Sequence, residues 1–392
     1  MAPTAPAAYN RRPAQPGPRA PLKTFPCICG NTLHFENSRC LSCGRLVGFL
    51  PDAREMSALD PAGDGVWRAR HPRFEGWTYR QCANYAVQGV CNWMVGRKDN
   101  NPLCVSCRLS QVIPNLESDR NRVLWYRIES AKRRLLYTLM QLGLPVVGKD
   151  LDPVRGLSFQ FLEDEPGNLE FYDDVSAHRH VMTGHRLGVI TINVAEADAS
   201  AREEMRERMQ ELYRTLLGHF RHESGHFYWD WLVRDTGWLD DFRALFGDET
   251  ADYDSAIARY YASGPVPDWQ QSFVSAYAST HPWEDWAETW AHFLHMVDTL
   301  ETANDFGFAI KGRELVPPEV VLKPDAQYAS GFFSSAVTFD HMLDDWISLT
   351  VALNALNRSM GLPDAYPFTP SGMATRKLEF VYRVIADYES RG

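Results

Sequence analysis

The chain has 392 residues, of which 45% are hydrophobic and 12% aromatic, so it can bury a large core and holds two or three modules. No segment approaches the run of about twenty apolar residues that a membrane-spanning helix needs, which excludes such a helix. The net charge of -10 is unevenly placed. Residues 1–117 carry 14 Lys and Arg against 8 Asp and Glu, and the remainder carries 26 against 42.

The N-terminal region begins with a Pro- and Ala-rich segment, residues 1–22, for which we predict a disordered arm. Two cysteine pairs follow within seventeen residues, Cys27-x-Cys29 and Cys40-x-x-Cys43. A glycine closes each pair and permits the tight turn that a thiolate-bound metal requires. The pattern therefore predicts a zinc ribbon over residues 24–51, although the first pair is one residue shorter than the usual CxxC spacing.

The remaining cysteines predict a second module with four zinc-binding thiolates over residues 78–115, reached through a connector at residues 52–77. Its cysteines are Cys82, Cys91, Cys104 and Cys107. Disulfides are the alternative, but residues 1–22 lack the apolar stretch of a signal peptide, so we predict a cytoplasmic protein with reduced thiols. Two zinc-tetrathiolate centres would each contribute a charge of about -2. This offsets the basic N-terminal region and argues against nucleic-acid binding.

The rest of the chain, residues 118–392, is predicted to be a mainly helical α+β domain with a small sheet. Apolar residues at helical spacing predict a helix over residues 118–142. Residues 157–162 and 189–194 are predicted strands, with residues 183–188 as the turn that enters the second. A Pro-rich stretch follows residue 303. Two further helices are predicted over residues 339–360 and 373–388.

The pentapeptide His222-Glu223-Ser224-Gly225-His226 is the strongest chemical signal. On a helix, two histidines four residues apart share one face and can both reach one Zn²⁺, with the glutamate beside them as a base. We predict one helix from residue 201 to about residue 234, since no proline interrupts it. Gly218 and Gly225 destabilise a helix interior and usually mark close approach by another element. We expect that element to be the helix with the third ligand.

That helix is predicted about 55 residues further on, where Pro282 suits a first helical turn. Glu284 and Glu288 share one face among tryptophans. Two such carboxylates are costly to bury unless they are paired, and a metal and a metal-bound histidine are natural partners for them. A solvated acidic stripe is the alternative. Other histidines lie nearby, and most such side chains are core or rim residues: His178, His180, His185, His219, His281, His292 and His295.

Here the sequence resembles the gluzincin metallopeptidases, whose second zinc helix carries a glutamate followed by an aromatic residue and an alanine. The resemblance implies that Glu284 is the third ligand and that Glu288 orients a histidine, although the reverse assignment stays open. It also implies that Tyr277 stabilises an oxyanion, with half-buried packing as the alternative role. Zincin-like sites commonly have an edge strand that pairs with an extended substrate, and residues 190–194 are the candidate.

The order of ribbon, HExxH and glutamate helix also resembles a bacterial family known as putative zinc-binding metallopeptidases with an N-terminal zinc ribbon. It implies a zincin-like domain with one catalytic and two structural zinc ions. The expected chemistry is hydrolysis of a peptide bond, with His222, His226 and Glu284 as ligands and Glu223 as general base. The partner would be a protein or peptide substrate. A different class stays open: an adaptor that binds a protein partner through its ribbon without cleaving it.

Overall fold

The structure, a computed structural model, describes residues 24–164, 181–208, 211–306, 308 and 338–391. The predicted arm, His178, His180 and most of the Pro-rich stretch lie outside the described residues. The described β-strands are β1 Thr24–Pro26, β2 Thr32–His34, β3 Leu46–Leu50, β4 Glu55–Pro61, β5 Val66–Ala69, β6 Thr78–Gln81, β7 Met94–Gly96, β8 Ser110–Val112, β9 Ser158–Leu162, β10 Gly184–Arg186 and β11 Val189–Asn193. The described α-helices are α1 Ala83–Ala86, α2 Asp119–Gln141, α3 Ala199–Arg208, α4 Leu216–Leu232, α5 Leu239–Phe246, α6 Tyr253–Ser263, α7 Pro282–Asp305, α8 Phe339–Ser359 and α9 Gly372–Arg391.

The N-terminal region is built from short antiparallel strands. β1 and β2 form a hairpin around the first cysteine pair, and β3 to β7 form a five-stranded sheet in sequence order. The prediction of a connector at residues 52–77 is wrong, because these residues form β4 and β5 in the middle of this sheet. Gly63 and Gly65, both at positive φ, make the tight turn between these strands, and such glycines also mark linkers in a sequence.

A second sheet of four strands has the order β10-β11-β9-β8. The two strands predicted from the sequence are confirmed as β9 and β11. The prediction that residues 190–194 form the edge strand is wrong, because β11 lies between β9 and β10. The edge strands of this sheet are β8 and β10, and β10 lies within the segment predicted as a turn. Leu187 and Gly188, both at positive φ, make the two-residue turn that folds β10 back onto β11.

The predicted long helix is confirmed as α2, and the two predicted C-terminal helices are confirmed as α8 and α9. The single helix predicted from residue 201 to residue 234 is wrong: α3 ends at Arg208 and α4 begins at Leu216. Thr215 has extended backbone angles, and its hydroxyl accepts a hydrogen bond from the Gly218 amide. This cap starts a new helix about 1.7 turns before the HExxH motif.

The crossing of α4 and α7 lies at the centre of the C-terminal domain. A Cβ atom on Gly225 would stand 2.9 Å from the Ala287 Cα, so the two backbones are in direct contact there. Trp286 reinforces the crossing, since its indole N–H donates to the Gly225 carbonyl at 2.8 Å. The close approach expected at Gly225 is therefore confirmed. It is not confirmed at Gly218, where the nearest neighbour is the capping hydroxyl of Thr215.

The helices around this crossing complete an α+β domain, as the sequence predicts. α9 is tied to α7 by a buried ion pair in which the Lys377 ammonium lies 2.6 Å from an Asp285 carboxylate oxygen. Large aromatic side chains fill the space between the helices, among them Trp286 and Trp290, which are fully buried. Among the described helices, none combines the length and apolar character required to cross a bilayer.

Gly225→Ala tests the crossing. The added methyl group would meet the Ala287 backbone, which cannot rotate away as a side chain would, so the helices must separate. We expect the free energy of unfolding to fall by about 1–3 kcal/mol in denaturant titrations. Gly372→Ala at the start of α9, where nothing lies within 4 Å, is the control and should change stability by no more than about 0.5 kcal/mol. Equal stabilities for both variants would contradict this packing.

Candidate metal centres

The start of α4 places the HExxH residues. Because Thr215 caps the helix at its first turn, His222 and His226 fall one turn apart on the face directed at α7. Their ring centroids are 5.0 Å apart. Both residues are mainly buried, with 15% and 8% of their side chains exposed.

The start of α7 places the acidic residues with similar precision. The His281 ring accepts a hydrogen bond from the Trp283 amide at 3.1 Å, and Pro282 occupies the first helical position, as predicted. This cap fixes Glu284 in the first turn, directly opposite the two histidines. Glu284 is 1% exposed, which excludes a solvated acidic stripe at this position.

The three side chains converge on one point. Glu284 Oε2 lies 3.0 Å from His222 Nε2, and Glu284 Oε1 lies 3.5 Å from His226 Nε2. Their ligand atoms all lie within 4.8 Å of one another. A tetrahedral Zn²⁺ with bonds of about 2.0–2.1 Å has ligand atoms about 3.3 Å apart. Glu284 is 1% exposed, so its carboxylate faces the two imidazoles away from bulk water, and a bound cation would offset the cost of burying its charge. The donor set therefore fits zinc.

A second layer of side chains holds this set. The His222 Nδ1 atom lies 2.7 Å from Glu288 Oε1, and the Ser275 hydroxyl donates to Glu288 Oε2 at 2.6 Å. The Tyr253 hydroxyl donates to Glu284 Oε1 at 2.7 Å. Burial alone would raise the pKa of Glu288, but the hydrogen bond with His222 holds that pKa below its ordinary value. Glu288 is thus an ionised acceptor that fixes the orientation of the His222 ring.

Glu223 is placed differently from the other two glutamates. Its side chain does not belong to the group of ligand atoms formed by His222, His226 and Glu284, and Glu223 is 7% exposed. Burial raises the pKa of Glu223, although the charges of His222 and His226 oppose the shift. A carboxylate with a raised pKa is better suited to accept a proton and return it near neutral pH.

Tyr277 lies on the same side of the site. It begins a short 3₁₀-helix before α7, and its ring centroid is 6.0 Å from that of His222. Burial and then the charge of Glu284 raise the pKa of Tyr277, which keeps its hydroxyl protonated. A protonated tyrosine hydroxyl is a hydrogen-bond donor, and this one belongs to a ring that packs against His222.

The other described histidines serve packing and capping contacts. Burial lowers the pKa of His219 and of His292 to about 4, and the Nδ1 atom of His292 lies 2.7 Å from the Tyr366 hydroxyl. His295 packs against Tyr366. The ring of His185, in β10, stacks on the ring of His226 with centroids 6.3 Å apart. β10 therefore runs beside the site formed by His222, His226 and Glu284.

The cysteines gather into the two predicted groups of four, each with all its sulfur atoms within 4.8 Å of one another. Cys27 and Cys43 have Sγ atoms 3.7 Å apart, as do Cys91 and Cys104. This distance is far longer than a disulfide bond of about 2.0 Å. It matches the separation of about 3.8 Å between sulfurs bound to one tetrahedral Zn²⁺ at about 2.3 Å. Both groups fit structural zinc.

Two residues of the site could not be picked out in the sequence. Tyr253 and Ser275 contact the acidic residues of α7 from 31 and 13 positions away. Neither stands in a periodic pattern or a motif. The only local signal is Asp252, whose side chain caps α6 directly before Tyr253 and predicts where that helix begins.

Comparison with known proteins agrees with this arrangement. A family model described as "Putative zinc-binding metallo-peptidase" matches residues 121–384, and a zinc-ribbon domain model matches residues 24–118. Uncharacterized proteins of Mycobacterium tuberculosis and Mycobacterium bovis are each 40% identical to the chain over 366 residues, which cover 93% of this chain and 95% of the relative. No solved structure matches the chain.

Fold and comparison together define a zinc-binding protein with a metallopeptidase-like α+β domain that follows a zinc ribbon. The chain belongs to the family of putative zinc-binding metallopeptidases. The resemblance to the family of putative zinc-binding metallopeptidases with an N-terminal zinc ribbon is confirmed.

Metal analysis tests the three centres together. We expect about three zinc equivalents per chain, one for each group of converging ligands. Prolonged chelation should also loosen the N-terminal region, measured as faster amide exchange in residues 24–118, because structural zinc contributes folding free energy. A content of about one zinc equivalent would contradict zinc binding by both groups of four cysteines.

The two acidic residues of α7 can be separated by substitution. We expect Glu284→Ala to lose the zinc bound by His222 and His226, because one of three ligands is removed. Glu288→Ala should keep that zinc with affinity about 10- to 100-fold weaker, since only the orientation of His222 is relaxed. Zinc competition with a chromophoric chelator measures both. Exchanged phenotypes would reverse the two roles.

Proposed function

We propose that the chain is a zinc-dependent peptidase that hydrolyses amide bonds in proteins or peptides. One observation carries the proposal: the ligand atoms of His222, His226 and Glu284 converge, while Glu223 stays outside the set with a raised pKa. A set of three protein ligands leaves one position of a tetrahedral zinc for a water molecule or a substrate. This is the arrangement of a catalytic rather than a structural zinc site.

The reaction follows from these positions. Zn²⁺ bound there would lower the pKa of a water molecule and polarise the carbonyl of the scissile bond. Glu223 accepts a proton from the attacking water and returns it to the leaving amine. Its buried position supports both steps, because the raised pKa lowers the cost of holding the proton between them.

Other residues of the chain support this chemistry. Glu288 holds the His222 ring through its Nδ1 atom, and Tyr277 donates a hydrogen bond to the oxyanion that develops on the carbonyl oxygen. β10, an edge strand of the sheet among the described residues and beside His226, offers backbone groups with which an extended peptide can pair. The substrate is therefore a segment of extended chain.

The two cysteine groups have a structural role in this proposal, with two zinc ions that fix the loops of residues 24–118. The eight cysteines, all within the described residues, form no disulfide. Thiols that serve as zinc ligands persist in a reducing compartment, which supports a cytoplasmic location.

The burial of Glu223 favours a second candidate, an adaptor that binds a protein partner without cleaving it. Glu223 is 7% exposed, so water and substrate do not reach it freely in this conformation. The two candidates make different predictions for Glu223. A peptidase needs its carboxylate to cleave the bound protein, whereas an adaptor leaves that protein intact whether or not the carboxylate is present.

Glu223→Gln tests the proposal, because it removes the base and leaves every proposed ligand in place. We expect this variant to keep its zinc and its fold and to lose hydrolysis, which turns it into a capture reagent for its own substrate. Proteins of a cell extract that bind the variant would be compared by mass spectrometry with those that the unaltered protein cleaves. Glu204→Gln, at an exposed position of α3, is the matched control and should cleave normally.

The adaptor candidate predicts a different result from the same experiment. The unaltered protein would then cleave nothing in the extract or in a broad peptide library, and it would retain the same intact partner as the Glu223→Gln variant. That outcome would replace the peptidase proposal with the adaptor.

A further inference from the structure

The helix α6 is attached to the domain unusually loosely. Of its eleven residues, only Ala256 is buried. Gly247 and Gly264 flank the segment that contains α6, and both have positive φ, which glycine adopts at low cost. A helix that buries little apolar surface between two such residues costs little free energy to displace as a unit.

The contacts that α6 does make lie at the proposed metal site. Tyr253, its first residue, donates its hydroxyl to Glu284 Oε1 at 2.7 Å. The Tyr253 ring packs against the rings of His281 and Trp283, with centroids 5.3 and 6.3 Å away. Further along the helix, Tyr260 packs against Tyr277 at 5.6 Å. Tyr253 and Tyr260 of α6 therefore pack against residues that border the proposed metal site.

Two glutamates of the site are buried. Glu284 is 1% exposed and Glu223 is 7% exposed, yet both have to meet a metal ion or a water molecule for the proposed function. α4 and α7 are packed backbone to backbone at Gly225 and cannot separate without loss of core packing. α6 lies next to the site and, with only Ala256 buried, can move at lower cost than these two helices.

We propose that α6 is a hinged cap over the metal centre and that Tyr253 is the positioning residue that latches it through Glu284. The inference rests on the metal centre of the proposed function and not on peptide hydrolysis. When α6 lifts, the Tyr253 hydroxyl leaves the glutamate, and the centre opens to metal and substrate.

Metal exchange distinguishes a latch from a residue that only orients a ligand. A latch limits access, so its removal speeds the entry and the exit of the metal by the same factor and leaves the dissociation constant unchanged. A residue that only orients Glu284 changes the dissociation constant through faster exit and leaves entry unchanged. The full chain would be used, after the centre at His222, His226 and Glu284 has been emptied with dipicolinate and metal analysis has shown that the cysteine groups stay loaded.

Entry of Co²⁺ would be followed by its visible absorption in stopped flow, and exit would be followed after addition of excess EDTA. We expect Tyr253→Phe to speed both about tenfold, since it removes a hydrogen bond to a charged group. Tyr261→Phe is the matched control on the same helix, because Tyr261 is 56% exposed. It should leave both rates unchanged. Unchanged rates in Tyr253→Phe, or faster exit alone, would overturn the cap.

Amide hydrogen exchange shows whether the Tyr253→Phe variant is folded. We expect the amides of α6 to exchange faster in Tyr253→Phe, while those of α4 and α7 exchange as in the unaltered protein. Faster exchange in all three helices would overturn the latch, because the substitution would then loosen the whole domain. A cobalt spectrum that does not depend on His222 would instead overturn the metal centre itself, and the cap with it.

Discussion

The contact between the α4 and α7 backbones at Gly225 and Ala287 is the constraint on which the rest of the site depends. Histidine and glutamate side chains are short, so their ligand atoms converge only if the helices cross closely. A methyl group at Gly225 would fill the space that this approach uses. The Trp286 indole bonds the Gly225 carbonyl from the opposite helix and fixes the register of the crossing. Packing of the core and geometry of the metal centre are therefore set by one contact.

The crossing also sets different roles for three neighbouring glutamates. Burial would raise the pKa of all of them. In Glu284 the charge of His226 and then the hydrogen bond with His222 overcome burial and lower the pKa, and in Glu288 the hydrogen bond with His222 does so. Glu223 makes no such hydrogen bond, and its pKa stays raised. The surroundings of the three glutamates thus favour the ionised form in the two that contact His222 and the protonated form in Glu223. Such a difference in pKa between neighbouring carboxylates is typical of acid–base sites.

The sequence predicts those parts of the site that depend on local geometry. The HExxH spacing and the Pro282 start of α7 fix side chains within one or two helical turns, so both were recognisable. Elements that depend on tertiary contacts were not. Three-residue β10 is too short for a strand pattern, and the cap at Thr215 interrupts a segment without proline. Tyr253 contacts Glu284 through a tertiary hydrogen bond across 31 positions, for which the sequence has no local signal.

The N-terminal region and the metallopeptidase-like domain share one core through α2. On one side of this helix, Tyr137 packs against Phe35 and Phe49 of the N-terminal region, at 5.2 and 5.9 Å. The Tyr137 hydroxyl also donates to Glu301 of α7 at 2.9 Å. A shift of the cysteine loops would therefore move α2, and with it the helix that carries Glu284. The cysteine groups therefore belong to the same packed core as the helix that carries Glu284.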